Sequence, residues 1–466
     1  NTSRVTTLNI NGGRVEADGQ QHIWNMTGGL NFSGGGELIG NSTNSATAYQ
    51  WEWGGTNVNV INPTSDAKIT GRIRLRSDYG NPTFTVADGT AANDVLISAS
   101  ITEASAGLGF IKAGTGTLTL SGANNYTGTT TVNGGVLKAG SNSAFGSNSA
   151  VTLANTAGVV LDLAGFNNTV GSLAGGGANG GDVSLGSGTL TTGTLNTNTS
   201  YAGIISGSGG LTKTGSGAFT LSGLNTFMGA VTIGGTGKLS VAVVADGGVA
   251  SNLGAASADA ANLVFDGGTL EFTGTSGSTN RNFTIVAGKT ATIDVDTGDT
   301  LTMNGASIAT TGALTKTDAG TLILTGANLH TGVTTISGGT LQLGNDDGVT
   351  AGSGTSGSLA GTSIVNNANL VFDRSDAFSL SQIISGSGTV KQVGRGTTTL
   401  TGRNTYTGAT TISAGELKLT NWNDSDTYSI STGAVLNYEV ASGSTIDLPT
   451  TTYNGAGTLR KTGAGT

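Results

Sequence analysis

The feature that most constrains this chain is that it repeats itself. Four stretches, opening at Lys112, Lys213, Lys316 and Gln392, share one pattern of apolar, glycine and asparagine positions. Taking Leu120, Leu221, Leu324 and Leu400 as anchors, a glycine follows two residues on (Gly122, Gly223, Gly326, Gly402). An asparagine follows at four (Asn124, Asn225, Asn328, Asn404), and a second glycine at eight (Gly128, Gly229, Gly332, Gly408). A β-branched residue comes at twelve (Val132, Ile233, Ile336, Ile412). Agreement of this kind within one chain marks a stacked array, in which each unit buries its apolar face only against its neighbours.

Inside each copy the apolar residues alternate with period two, the signature of a strand with one buried face. Leu118 and Leu120 are predicted to point inward with Thr117 and Thr119 outward. Phe219/Leu221 and Leu322/Leu324 follow suit, and Thr398 replaces the first apolar residue beside Leu400. Later in each copy Leu137/Ala139, Leu239/Val241, Leu341/Leu343 and Leu417/Leu419 repeat the pattern, with Lys138, Ser240, Gln342 and Lys418 facing solvent. The recurring Gly and Asn are expected where the backbone needs positive φ. The anchors are 101, 103 and 76 residues apart, too far for one coil, so other coils lie between them. A solenoid tolerates such unequal spacing; a sandwich or closed barrel, with strand pairings fixed across the sheet, does not.

Composition agrees. With 81 Gly, 3 Pro, 10% charged residues and an abundance of Thr, Ser, Asn and Val, the chain favours strands and turns over helices. The expected fold is all-β: a right-handed parallel β-helix, with irregular coils over residues 1–60 and one continuous repetitive solenoid over 61–466. Repeat copies are placed near 101–140, 204–241, 306–347 and 382–420, with a partial copy at 453–466. Coils of roughly 20–25 residues are expected. Lys461 and the residues after it match the opening of a copy, and Ile10 onward aligns with Val132 onward. The chain is therefore expected to begin after a strand and stop before one, as a mature or excised segment whose coils continue past both ends.

Residues 118–135 and 398–415 resemble the autotransporter-associated β-strand repeat of passenger regions in bacterial surface proteins, and residues 149–175 resemble that family's linking coils. The resemblance fades before about residue 60, where Trp24, Trp51 and Trp53 stand. It implies export, a right-handed β-helix and display at or beyond the outer membrane, without implying an activity. A lack of cysteine fits a chain that crosses membranes unfolded. The expected function is an extracellular stalk or adhesin segment on the bacterial surface. The alternatives are a subunit of a self-assembling filament or sheath and a glycan-active β-helix enzyme. Expected partners are further β-helix coils of the same or identical chains and a host or neighbouring-cell glycan or protein. A net charge of −8 argues against nucleic acid, and no apolar run is long enough for a membrane-spanning helix.

Candidate chemistry is sparse. Asp294, Asp296 and Asp299 form the densest acidic cluster, and Asp294 and Asp296 share a strand face, as a metal-binding or acid pair would. They are read instead as an exposed strand running into a turn at Gly298. Arg72, Arg74 and Arg76 alternate with Ile73 and Leu75 and are read as the outward face of a strand, not an anion patch. Asn345, Asp346, Asp347 and Gly348 read as a turn closing the third copy. Residues 175–182 are glycine-rich but fit neither a calcium-binding nonapeptide nor a phosphate loop. His330 fills the slot of Tyr126, Phe227 and Tyr406, so it is expected to replace an aromatic ring; His22 has no repeat context. No catalytic, cofactor-binding or metal-binding residue is assigned, no cofactor is expected, and the chain is expected not to be an enzyme.

Overall fold

The computed structural model describes residues 2–17, 23–40, 51–61, 63–78, 80–349, 354, 356–421, 427–445 and 452–466. Among them the chain is all-β: every strand pair recorded between named strands is parallel, and the one helical element is a single 3-10 turn, Ala260–Asn262. Strands of two to six residues predominate, each a short side of a coil that returns to stack on the one before. The strands therefore stack as a β-solenoid, and the chain divides into two compact units.

The first unit comprises Asn1–Val231 with Gly235–Gly237 and Val249–Ala256. One ladder runs Val95–Leu118–Leu137–Leu161–Val183–Ile205, each residue in register with the next and all fully buried. In-register aliphatic side chains on a shared face are what make a coil stack worth more than its separate strands. Beside it an aromatic ladder passes from Trp53 to Phe84, Phe110 and Tyr126, with ring centroids 5.7, 5.5 and 5.5 Å apart. Trp51 and Trp53 thus belong to the core. Thr2–Asn11 pairs with Ile23–Ser33 through one register shift between Val5 and Thr7, so the described chain opens in a strand rather than after one.

The second unit comprises Thr232–Gly234, Lys238–Gly248 and Ser257–Thr466. Its ladders run Leu301–Leu322–Leu341–Leu370–Val390 and Thr398–Leu417–Leu436–Leu459. The third and fourth repeats lie wholly within it, and here the meaning of the repeat is plain: one copy is two successive coils. Ala313–Thr317 and Thr321–Leu324 form the first, Thr334–Ile336 and Thr340–Leu343 the second, and each strand of the second pairs with its counterpart in the first. The first copy is built identically from Phe110–Ala113, Thr117–Leu120, Thr130–Val132 and Val136–Ala139. Coil lengths read from the register range from 18 residues, between Thr410 and Tyr428, to 31, between Leu239 and Leu270. The extremes fall outside the expected 20–25 because loops between strands absorb the difference.

Three expectations change. The glycines two residues after each anchor are not at positive φ: a Cβ on Gly122, Gly223 or Gly326 would lie 2.1, 2.1 or 2.5 Å from a carbonyl oxygen of the preceding coil. They are there because two backbones meet. Positive φ belongs to another position, shared by three copies, Gly135, Gly339 and Gly415, at 62°, 64° and 61°. The recurring asparagines also lie outside the positive-φ set and act through their side chains. Finally, Thr119 and Ser240 are buried rather than facing solvent. Thr119 Oγ1 donates to Asn93 Oδ1 (2.9 Å), and Ser240 stands in register with Glu271.

Candidate functional site

Three of the four repeats place four polar side chains in their interior and the second places two, and these explain the repeat's sequence. The asparagine oxygen accepts a backbone N–H from the preceding coil: Ile101 to Asn124 (2.7 Å), Ile205 to Asn225 (2.8 Å), Ser307 to Asn328 (3.0 Å) and Ile384 to Asn404 (2.8 Å). Where strands pause, the ladder would leave that donor orphaned, and the amide replaces it. The lysine that opens each copy is buried and wraps its ammonium in turn carbonyls. Lys112 Nζ donates to Ala113, Gly114 and Gly134 at 3.0, 2.9 and 2.8 Å, and Lys316 to Asp318 at 2.8 Å. Burial pushes both ammonium groups down to about 8. In the fourth copy Gln392 does the same as a neutral amide, donating to Gly394 at 2.8 Å and Gly396 at 3.3 Å. Sequence reasoning missed this role, although a lysine recurring eight residues before three of the four anchors was its signal.

His330 occupies the aromatic slot as expected, fully buried, with Nδ1 2.9 Å from Ser307 Oγ and Nε2 3.1 Å from Thr334 Oγ1. Tyr126 and Tyr406 make the same bond to the threonine four residues on, Thr130 (2.9 Å) and Thr410 (2.7 Å). In the second copy Phe227 has no polar tip, and the residue four on is Val231. The pair changes together because a buried hydroxyl without its partner is costly. Burial pushes the His330 imidazole down to about 4, so it stays neutral and is unsuited to proton transfer near neutrality. His22 lies outside the described residues.

The basic alternation is an outward strand face as read. Ile73 and Leu75 are buried, while Arg74 and Arg76 reach back to the buried carboxylate of Glu52 at 3.1 and 2.5 Å. The acidic turn after the third copy is also a turn, but it is pinned: Asp346 receives the Arg395 guanidinium at 2.8 and 3.0 Å. Those hydrogen bonds hold the Asp346 carboxyl well below the usual carboxylate range. In the first unit, residues 157–224 shape a shallow depression of glycine and alanine lined by Ile204 and Leu224, which are 43% and 55% exposed, and by Asp182.

The remaining cluster differs most from its sequence reading. Asp294 is not on an exposed strand face. It is the penultimate residue of the strand Thr290–Val295 and is almost fully buried, because Glu271 on the paired strand and Lys238 close over it. Lys238 Nζ bonds Asp294 Oδ2 at 2.6 Å and Glu271 Oε1 at 2.7 Å, which offsets the repulsion of two carboxylates directly opposite each other. Although burial opposes it, these two bonds raise the Lys238 ammonium above its ordinary range. Asp296 stands beyond Val295, and Gly298, at the expected turn, has a positive φ (87°). Burial, then the charges of Glu271, Asp294, Asp318 and Asp299, push the Asp296 carboxyl up. Asp318 is the member that the sequence reading missed. Single carboxylate oxygens of Asp294, Asp296 and Asp318 lie within 4.8 Å of one another. Comparing the copies shows the signal: Asp318 replaces Gly114, Gly215 and Gly394, and it keeps a positive φ of 59°. An acid–base pair working on a polymer would need both carboxylates facing the substrate, and Asp294 lies under Lys238.

Comparison with known proteins matches the family model of the passenger-associated-transport-repeat at residues 110–139, 211–241, 314–343 and 392–419. The chain is 41% identical over 252 residues to the Adhesin BmaC autotransporter of Brucella suis biovar 1 (strain 1330). That alignment covers 53% of this chain and 7% of that protein, so the chain spans a small fraction of the relative's length. No solved structure matches significantly. The matched stretches are the same two-coil units that carry the buried lysine or glutamine, the asparagine and the aromatic-slot residue. In its repeats and in this stretch of sequence, the chain is similar to the passenger region of an autotransporter.

Proposed function

We propose that this chain is a stalk or adhesin segment displayed at the bacterial outer surface, whose work is done by coil geometry and surface contact and not by catalysis. The supporting observation is that its repeat units carry interior polar side chains engaged in holding coil to coil, and that the relative sharing 41% identity is an adhesin. Contact with a glycan or protein of a host or neighbouring cell is the use that such a segment would serve. Beads coated with the purified chain and laid on host-cell monolayers test it: they should be retained above albumin-coated beads. Retention no better than albumin, together with depolymerisation of an acidic polysaccharide by wild type but not by an Asp294→Ala, Asp296→Ala variant, would replace this reading with a glycan-active one.

A further inference from the structure

We infer that Asp294, Asp296 and Asp318 form a binding site for a hard divalent cation, with calcium the best match. The donors are all oxygen, which suits calcium or magnesium and not the softer metals that seek imidazole or thiolate. Calcium holds its ligands at about 2.3–2.6 Å, so oxygens on opposite sides of the ion stand roughly 4.6–5.2 Å apart. Three carboxylate oxygens all within 4.8 Å of one another are close enough to share one such ion.

The cluster does not rest on acidity alone. The Asp294 side chain is 8% exposed; Lys238 takes its Oδ2, and its Oδ1 is buried without a hydrogen-bond partner. A buried carboxylate oxygen left unpaired is a substantial cost in a folded chain, and a cation shared with Asp296 and Asp318 supplies the missing interaction. Charge points the same way. Glu271, Asp294, Asp296, Asp299 and Asp318 face Lys238 and Lys316, five negative groups against two positive ones. Lys316 spends its protons on the carbonyls of Thr317 and Asp318, so it orients the Asp318 turn rather than neutralising the carboxylates by direct contact. The third repeat, moreover, gives up a glycine at a positive-φ position to put a carboxylate here.

Calorimetric titration of calcium chloride into the full chain, stripped with chelator, tests the site. Wild type should bind one calcium ion saturably and show a higher thermal midpoint with calcium than without it. Asp318→Gly restores the residue of the other copies, so it should fold at least as well while binding calcium at least tenfold more weakly. Asp296→Asn should weaken binding similarly with its calcium-free midpoint unchanged or raised. Absence of saturable heat in wild type, or equal affinity in wild type and Asp318→Gly, would overturn the inference.

Discussion

Single residues in the interior set how this chain answers to pH. His330 is held neutral, near 4 in the folded chain against about 6.5 for a free imidazole. Its contribution is therefore complete above pH 6.5 and is lost as pH falls through 4, up to about 3 kcal/mol. His330→Tyr restores the residue of the first and fourth copies and keeps the bond to Thr334, so its stability should fall less than wild type between pH 6.5 and 4 in chemical denaturation. Lys112 works in the other range. Its folded value near 8, against 10.5 unfolded, gives stability present above pH 10.5 that is lost as pH falls through 8. Lys112→Gln, imitating Gln392, should remove that slope and unfold at pH 7 no earlier than wild type; a lower midpoint at pH 7 would show the ammonium to be required. Thr398 is buried with its Oγ1 unpartnered, where the other copies have Leu118, Phe219 and Leu322. Thr398→Val should stabilise by about 1 kcal/mol in the same assay. At this scale the aromatic slot of His330 was legible from the aligned copies. The Asp294 environment was not, because a strand's own alternation says nothing of Lys238 arriving from 56 residues earlier.

At the scale of the element, the repeat is a rule about how near two coils come. Gly122 shows it most sharply: any side chain would collide with the Ala99 carbonyl of the coil before. Gly122→Ala should thus cost more than the roughly 1 kcal/mol typical of a point substitution, and its thermal midpoint should fall although alanine favours ordered backbone. Leu322→Ala removes a rung from the Leu301–Leu322–Leu341 ladder and should cost about 2–5 kcal/mol. Since coils touch chiefly their neighbours, hydrogen exchange should quicken in Thr300–Met303 and Thr340–Leu343 and stay unchanged in Val95–Ile97. Uniform loss of protection would contradict nearest-neighbour stacking. Period two and the anchors made these strands legible, since they reflect a buried face. The glycine roles were misassigned because sequence records that a Cβ is absent and not whether conformation or crowding excludes it.

For the whole molecule, stacking of this kind limits how far cooperativity travels. Contacts concentrate into two compact units, and within each the register ladders link one coil to the next. A nearest-neighbour stack loses all-or-none unfolding once local differences in stability exceed the coupling across a coil boundary. Such differences are built in here: the first unit has an aromatic ladder from Trp53 to Tyr126, while the second holds the crowded carboxylates at Asp294 and the unpartnered Thr398 hydroxyl. Three of the four tryptophans, Trp24, Trp51 and Trp53, stand near the start of the first unit, so tryptophan fluorescence reports mainly on it. Circular dichroism of the strands reports on both. During urea unfolding the two signals should give different midpoints, and the apparent m-value should fall well below that of a single two-state transition of this length. Coincident curves with the full m-value would mean that the coupling between coils exceeds every local difference. Non-coincidence would mean that a coil lost in one unit leaves the other standing, which would suit the surface role proposed above, with its exposure to proteases and shear.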